Sequence, residues 1–146
     1  MALVVWLTGA AEDSAVQKDK LQLQGGWSMV ACTMDGHIIP PKDIPPTSHI
    51  YNGDEVTTTV GGRPYFKERI TIDPSKNPKT IDFEIIGESK PSRKLGIYEF
   101  DGDRLKLCLG KPGAERPTDF SSKTGEGRTL SEWKREKPPG PTGDSK

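Results

Sequence analysis

The sequence predicts an all-β protein, a single small antiparallel up-and-down barrel of about eight strands. Three observations predict this fold. Apolar and polar residues alternate with period two along the middle of the chain, tight-turn dipeptides separate the alternating runs, and the 146 residues include 16 Gly and 13 Pro. We find no convincing helical stripe of ten residues, and closing the strands into a barrel removes the exposed edges of an open sheet.

The first predicted strand is GWSMVACTM, in which Trp27 and Met29 share one face while Val30 and Cys32 share the other. The dipeptide Asp35-Gly36 follows it and predicts a tight turn, because these residue types tolerate the backbone angles that such turns require.

Two hairpins are predicted by Asn52-Gly53 and Asp101-Gly102, each of which lies between two short β-prone runs. The segment YFKERITID places Glu68 in line with three apolar residues, and TIDFEII alternates Phe83 with charged residues. A last strand is predicted at LSEWKRE. These segments together favour a meander that closes on itself.

The chain divides into three parts. Residues 1–20 are predicted to be an apolar N-terminal segment followed by a flexible spacer, residues 21–136 the barrel domain, and residues 137–146 a disordered tail rich in Pro, Gly and charge. The run from Ala2 to Ala11 is typical of a signal peptide, although no Lys or Arg precedes it, and it predicts export to the periplasm or beyond. The alternative is a retained apolar segment and a cytoplasmic protein.

The charge balance argues against partners that depend on bulk charge. Lys plus Arg and Asp plus Glu both total 21, so the net charge is zero with His neutral, and no overall field favours nucleic acid. No apolar run approaches the length of a membrane span. Cys32 and Cys108 are expected to be free thiols on the outward face, since the first and seventh predicted strands are not neighbours.

The chain offers few residues for catalysis, and we expect no enzyme activity and no cofactor. His37 and His49 lie in a Pro-rich segment without partners at a recognisable spacing, which is typical of solvated loop histidines. The sequence contains no nucleophile elbow, Gly-rich phosphate loop or paired-Cys zinc motif.

The segment DPSKNPKTIDFE, from Asp73 to Glu84, has the oxygen spacing of a calcium-binding loop. Such a loop requires Gly at its sixth place for a sharp bend, but this chain has Pro78 there. Both flanks are predicted strands instead of helices. We therefore expect a structural turn between two strands and no metal site.

Four blocks occur in the order LQGGW, MDGHIIP, DPSKNPKTIDFEI and LGIYEFDGDRLKLCLGKPGAERPTDF. In this order they resemble the lipocalin-like domain found repeatedly in planctomycete bacteria, a family without an assigned activity. The resemblance covers about residues 21–136. It implies a lipocalin-like barrel and, since members often follow a signal peptide, export.

The resemblance also implies a role for Trp27 in the stretch Gly25-Gly26-Trp27. In lipocalins the Trp of this Gly-x-Trp element closes one end of the barrel, and a basic side chain of the last strand covers its face. Arg135 or Arg128 would supply that cation here. An indole face attracts a guanidinium, and such a contact stabilises by about 0.5–2 kcal/mol. The alternative is that Trp27 stacks on a ligand.

Two classes of function remain. In the first, the barrel receives one small apolar or amphipathic molecule, with Met29, Phe83, Ile97 and Leu107 lining its interior. In the second, the interior is filled by side chains, and surface loops meet another protein or cell-envelope material. The volume of the interior discriminates between them.

A long loop before the last strand, GKPGAERPTDFSSKTGEGRT, is a further candidate site. Arg116, next to Pro117, has the chemistry to bind a ligand carboxylate or phosphate. The alternative, which we favour, is that Arg116 pairs with a carboxylate of the protein while Phe120 plugs the barrel mouth.

Overall fold

The computed structural model describes residues 14–137 of the chain. Within them a helix, α1, covers residues 14–23, and a 3-10 turn occupies Pro41–Asp43. The strands of the described part are β1 (Gly25–Met34), β2 (His37–Ile39), β3 (Thr47–Asn52), β4 (Glu55–Val60), β5 (Arg63–Asp73), β6 (Lys79–Ile85), β7 (Arg93–Asp101), β8 (Arg104–Leu109) and β9 (Thr129–Arg135). They form one antiparallel sheet, which confirms the predicted all-β, up-and-down architecture.

The sheet closes because β1 pairs with strands on both of its edges. One edge pairs with β9, from Trp27 opposite Arg135 to Met34 opposite Thr129. The other edge pairs with β3 through residues 25–28 and with β2 through residues 32–34. Eight strands of the described part therefore form the barrel, and β2 is one additional strand beside β1.

The helix α1 shows that the prediction of a flexible spacer before residue 21 was wrong. Asp19 and Leu23 are buried, and Val16 packs against the core. These positions share one helix face, because their spacing of three and four residues matches the helical period. One of the three is a carboxylate, so the apolar stripe is too short for hydrophobic periodicity alone to reveal it.

The alternation predicted for β5 and β6 is confirmed. Glu68, Ile70 and Ile72 of β5 are buried, as is Phe83 of β6, while the residues between them are more exposed. The apolar members of this set belong to one continuous core together with Trp27.

A β-bulge in β1 corrects the alternation predicted for that strand. The pairing with β9 shifts register between Met29 and Ala31, so Val30 has no partner residue on β9. An extra residue reverses the side-chain alternation beyond it. Cys32 consequently lies opposite Ser131 and faces the barrel interior, whereas the sequence predicted an outward thiol.

The two thiols lie on opposite faces of the sheet. Cys108 pairs with Leu130, the chain neighbour of the Ser131 that faces Cys32. Both cysteines are free, as predicted, and both are buried. Burial raises the pKa of each thiol.

The turn after β1 has the predicted chemistry. Asp35 and Gly36 have φ of 49° and 81°, the positive values that a tight hairpin turn requires at both central residues. The Oδ1 of Asp35 accepts the backbone N–H groups of Gly125 and Gly127 at 2.9 and 2.8 Å. This turn therefore anchors the long loop before β9.

The two other predicted hairpins are confirmed, but each turn lies one residue further along the chain than predicted. Gly53-Asp54 joins β3 to β4, and Gly102-Asp103 joins β7 to β8, because Asn52 and Asp101 still pair within their strands. Between β5 and β6, the Oδ1 of Asp73 accepts the hydroxyl and the backbone N–H of Ser75 at 2.6 and 3.0 Å. These two hydrogen bonds, the hydroxyl first, hold the pKa of the Asp73 carboxyl below its usual value.

The signal-like run from Ala2 to Ala11 and tail residues 138–146 lie outside the described residues. Export therefore stays a prediction. Across residues 14–137, no helix is both long and apolar enough to cross a bilayer.

Candidate functional site

One end of the barrel is closed by Trp27. This side chain is fully buried, and its Nε1–H donates to the carbonyl oxygen of Leu23 in α1 at 2.8 Å. The guanidinium carbon of Arg135 lies 4.2 Å from the centroid of the indole ring. Arg135 is thus the cation that the resemblance implied, whereas Arg128 pairs with Asp119 at 3.1 Å.

The helix α1 completes this closure through Asp19. Its carboxylate accepts the Tyr98 hydroxyl at 2.7 Å and the Lys79 ammonium at 2.9 Å. Burial raises the pKa of the Tyr98 phenol, and the hydrogen bond to Asp19 raises it further. The phenol is therefore a neutral donor that connects the helix to β7.

The opposite half of the barrel contains a cavity of about 430 Å³. Its solvent end is marked by Met34 and Phe66, which are 50% and 38% exposed. Most of its wall is apolar, with the deeper side chains coming from Met29, Phe83, Leu107 and Trp133. Small-molecule sites typically measure about 300–1,000 Å³, so this space has the size of a ligand pocket.

Three of the predicted interior residues, Met29, Phe83 and Leu107, do line the cavity. Trp27 does not line it. The prediction for Ile97 was also wrong. This residue lies on the outer face of β7, in a groove that it shares with Arg116 and Pro117. Its neighbour Tyr98 takes the inward position. The long loop covers this part of β7, so both faces are buried and alternation does not distinguish them.

Arg116 binds the protein itself, as the favoured alternative predicted. Its Nη1 donates to Asp82 Oδ1 at 2.7 Å and to the Gly96 carbonyl oxygen at 2.9 Å. These bonds hold the long loop against β6 and β7. The predicted plug by Phe120 was wrong, since this ring lies beside Lys106, 5.7 Å from its Nζ, and not in the cavity.

Several polar residues on the cavity wall were not found by motif analysis, and His49 is one of them. Its ring stacks on Trp133 with centroids 3.9 Å apart, and its Nδ1 lies 3.2 Å from the Tyr51 hydroxyl oxygen. Burial and then the charge of Lys94 lower the pKa of His49 to about 3. His49 is thus a neutral, buried residue of β3, not the solvated loop residue predicted. His37 is exposed.

Glu68 and Lys94 form an ion pair across the cavity wall. The Lys94 Nζ lies 3.2 Å from Glu68 Oε2, and only 4% of the Glu68 side chain is exposed. The same ammonium lies 5.5 Å from the centroid of Phe83 and 5.9 Å from that of Phe66. Ring faces attract a cation, so these two aromatic residues help to hold Lys94 over the cavity.

The Thr58 hydroxyl has no hydrogen-bond partner among residues 14–137, although the residue is only 7% exposed. Thr58 lies directly opposite His49 in the pairing of β3 with β4, and both residues line the cavity. Leaving a buried hydroxyl unpaired costs about 1–3 kcal/mol. Because nearly all buried polar atoms in proteins have a hydrogen-bond partner, the unpaired hydroxyl of Thr58 requires an explanation.

We define the polar wall as His49, Thr58, Glu68 and Lys94. One signal in the sequence indicated it, namely the carboxylate of Glu68 in line with three apolar residues of β5. The partner of Glu68 was not visible, because Lys94 comes from β7 and the two strands meet only through β6. Thr58, in the middle of TTT, and His49 carried no signal of burial.

Comparisons of this chain with protein-family models, curated proteins and solved structures give no match. The barrel and its cavity are therefore the basis for any functional assignment.

Proposed function

We propose that this protein is a non-enzymatic, lipocalin-like barrel that binds one small amphipathic molecule in the cavity. The observation that carries the proposal is the cavity of about 430 Å³, which is open at one end and has a mainly apolar wall surface. Small-molecule sites combine such a lining with a few placed polar groups. The polar wall supplies groups of this kind.

The alternative of a filled interior is disfavoured by that volume. Side chains do fill the closed half of the barrel around Trp27, but they leave the half around Trp133 and Met29 unfilled. A module that served only protein contacts would gain packing energy by filling this space.

The polar wall is also unsuited to acid–base catalysis. A general base works best with a pKa near the working pH, and burial lowers that of His49 to about 3. Glu68 is held by Lys94 at 3.2 Å. This pairing supports a binding role over a catalytic one.

The resemblance of the chain to the planctomycete lipocalin-like domain supports the same class, and the closed end agrees with it through Trp27 and Arg135. We extend the proposal to export, which the apolar run from Ala2 to Ala11 supports.

Fluorescence of N-phenyl-1-naphthylamine, an uncharged apolar dye, tests the proposal. Leu109 lines the cavity and is partly buried, so Leu109→Trp would occupy part of the ligand space. Ile38 is 79% exposed on β2 and does not line the cavity, so Ile38→Trp is the matched control.

We expect wild type and Ile38→Trp to enhance the dye fluorescence with saturable binding, and Leu109→Trp to weaken binding about tenfold or more. Thermal melts of both variants verify folding. Absence of saturable binding to the wild type, or equal binding to all three proteins, would show that the cavity is not a ligand site.

A further inference from the structure

We propose that the cavity selects an uncharged, largely apolar molecule that carries a hydroxyl or carbonyl group, and that this group forms a hydrogen bond with the Thr58 hydroxyl. This inference rests on the proposed function, which it deepens by naming the ligand class.

The hydroxyl of Thr58 is unpaired, and this supports a ligand with a hydrogen-bonding group. The residue is more than nine-tenths buried, lines the cavity and has no partner among the described residues. Its hydroxyl oxygen is almost fully covered in this structure, so a ligand reaches it once the side chain changes rotamer about χ1. A hydroxyl both donates and accepts hydrogen bonds, so a ligand hydroxyl or carbonyl is its chemical complement. Such a ligand removes the unfavourable burial of the unpaired group, whereas a pure hydrocarbon leaves it in place.

The charges of the polar wall balance one another, and this supports an uncharged ligand. The negative charge of Glu68 is matched by Lys94 at 3.2 Å, and burial keeps His49 neutral. A buried ionic ligand requires an unmatched countercharge. A carboxylate at this depth would meet Glu68, and an ammonium would meet Lys94. Lys111 also lines the cavity, but it is exposed to solvent, which screens its charge.

The proton of the His49 ring lies on the nitrogen that does not contact Tyr51. Burial, and then the charge of Glu68, raise the pKa of the Tyr51 phenol, so this group is a neutral donor. Among the described residues its hydrogen-bonding partner is the Nδ1 of His49, at 3.2 Å. A buried phenol proton needs an acceptor, so Tyr51 donates to Nδ1 and the ring proton lies on Nε2. His49, which lies opposite Thr58, thus adds one ring N–H donor to the residues of the cavity wall, and this donor favours an acceptor oxygen on the ligand.

The test compares three probes with one aromatic body: 2-naphthol, which is uncharged at about pH 7, 2-methylnaphthalene, which lacks the hydroxyl, and 2-naphthoate, which is ionised. Their affinities are measured by displacement of N-phenyl-1-naphthylamine. Thr58→Val removes the hydroxyl at nearly constant volume. The control is Thr57→Val, the same substitution at the preceding residue of β4, whose side chain does not line the cavity.

We expect 2-naphthol to bind wild type and Thr57→Val about 2- to 10-fold more tightly than 2-methylnaphthalene, the range of one neutral hydrogen bond. Thr58→Val should abolish this preference without weakening 2-methylnaphthalene. 2-Naphthoate should bind at least tenfold more weakly than 2-naphthol to all three proteins. Thermal melts should show that Thr58→Val is at least as stable as the wild type, because it removes an unpaired buried hydroxyl.

An unchanged preference for 2-naphthol in Thr58→Val would overturn the assignment of Thr58, and tighter binding of 2-naphthoate would overturn the uncharged class. Either result leaves the cavity as a ligand site. Failure of the dye to bind the wild type overturns the proposed function and the ligand class together, so the two failures are distinguishable.

Discussion

Arg135 covers the indole face of Trp27, with its guanidinium carbon 4.2 Å from the ring centroid. Two further bonds fix this arginine, because its Nη1 donates to the Gln24 carbonyl oxygen at 2.9 Å and its Nη2 to that of Gln22. The last strand, the first strand and the end of α1 are thus joined at one point. This point is the closed end of the barrel.

Replacement of Trp27 by Ala should destabilise the protein severely. The side chain is fully buried, and truncation leaves a cavity, so we expect the free energy of unfolding in urea to fall by about 3–5 kcal/mol. Arg135→Ala should cost less, and Tyr65→Ala, at a residue 69% exposed, should cost almost nothing. A loss below about 1 kcal/mol for Trp27→Ala would contradict a structural role for the indole.

The connection between Tyr98 and Asp19 should also be measurable. Tyr98→Phe deletes the hydroxyl that donates to the carboxylate at 2.7 Å, and hydrogen bonds to charged groups contribute about 1.5–3 kcal/mol. Urea unfolding should show a loss of this size, while the exposed control Tyr65→Phe stays at the wild-type value. Equal stability of the two variants would mean that the hydrogen bond from Tyr98 to Asp19 does not help to hold α1 to the barrel.

The stability should depend on pH through His49. Its pKa falls from an ordinary value of 6.5 to about 3 on folding, so below about pH 6.5 the unfolded chain binds more protons than the folded one. The contribution of His49 to the free energy of unfolding is therefore fully present above about pH 6.5, and it is lost progressively as the pH falls toward 3. Between about pH 7.5 and pH 5 we expect a loss of about 2 kcal/mol.

Urea unfolding of His49→Gln should lack this decrease, whereas His37→Gln, at an exposed residue, should retain it. The carboxyls of Asp35 and Asp73 have pKa values below the usual range, because backbone hydrogen bonds lower that of Asp35 and bonds from Ser75 lower that of Asp73. Neither of these two carboxyls titrates between about pH 5 and pH 7.5, so they do not contribute to the expected decrease. Identical pH profiles for the two His variants would refute the burial of His49.

Calcium at millimolar concentration should leave the melting temperature unchanged. The Oδ1 of Asp73 already accepts two bonds from Ser75 in the turn between β5 and β6, and Glu84 is a residue of the β6 strand. A ligand that bound only the native state would raise the melting temperature by mass action. A rise of several degrees that a chelator abolishes would identify a metal site after all.

The strands and hairpins could be predicted from the sequence because their signals are local. Asn52-Gly53 and the alternation around Phe83 depend only on neighbouring residues. The helix α1 could not be predicted from its apolar pattern, because its buried face contains Asp19, which becomes favourable only beside Tyr98 and Lys79.

The candidate site was only partly predictable for a similar reason. Met29, Phe83 and Leu107 followed from alternation, but Ile97 was assigned to the wrong face because the long loop buries both sides of β7. The polar wall depends on contacts between strands distant in sequence, such as Glu68 with Lys94. No local pattern encodes such a contact.

We propose that a small ligand occupies the half of the barrel beside Trp133, and the methionines offer a direct measurement of this. Met29 and Met34 both line the cavity. In a protein labelled with carbon-13 at the Met methyl groups, each signal can be assigned by Met29→Leu and Met34→Leu. We predict that 2-naphthol shifts both signals in proportion to the occupancy measured by dye displacement, because aromatic ligands perturb adjacent nuclei. Saturable dye displacement with both methyl signals unmoved would place the ligand outside the barrel and contradict the account.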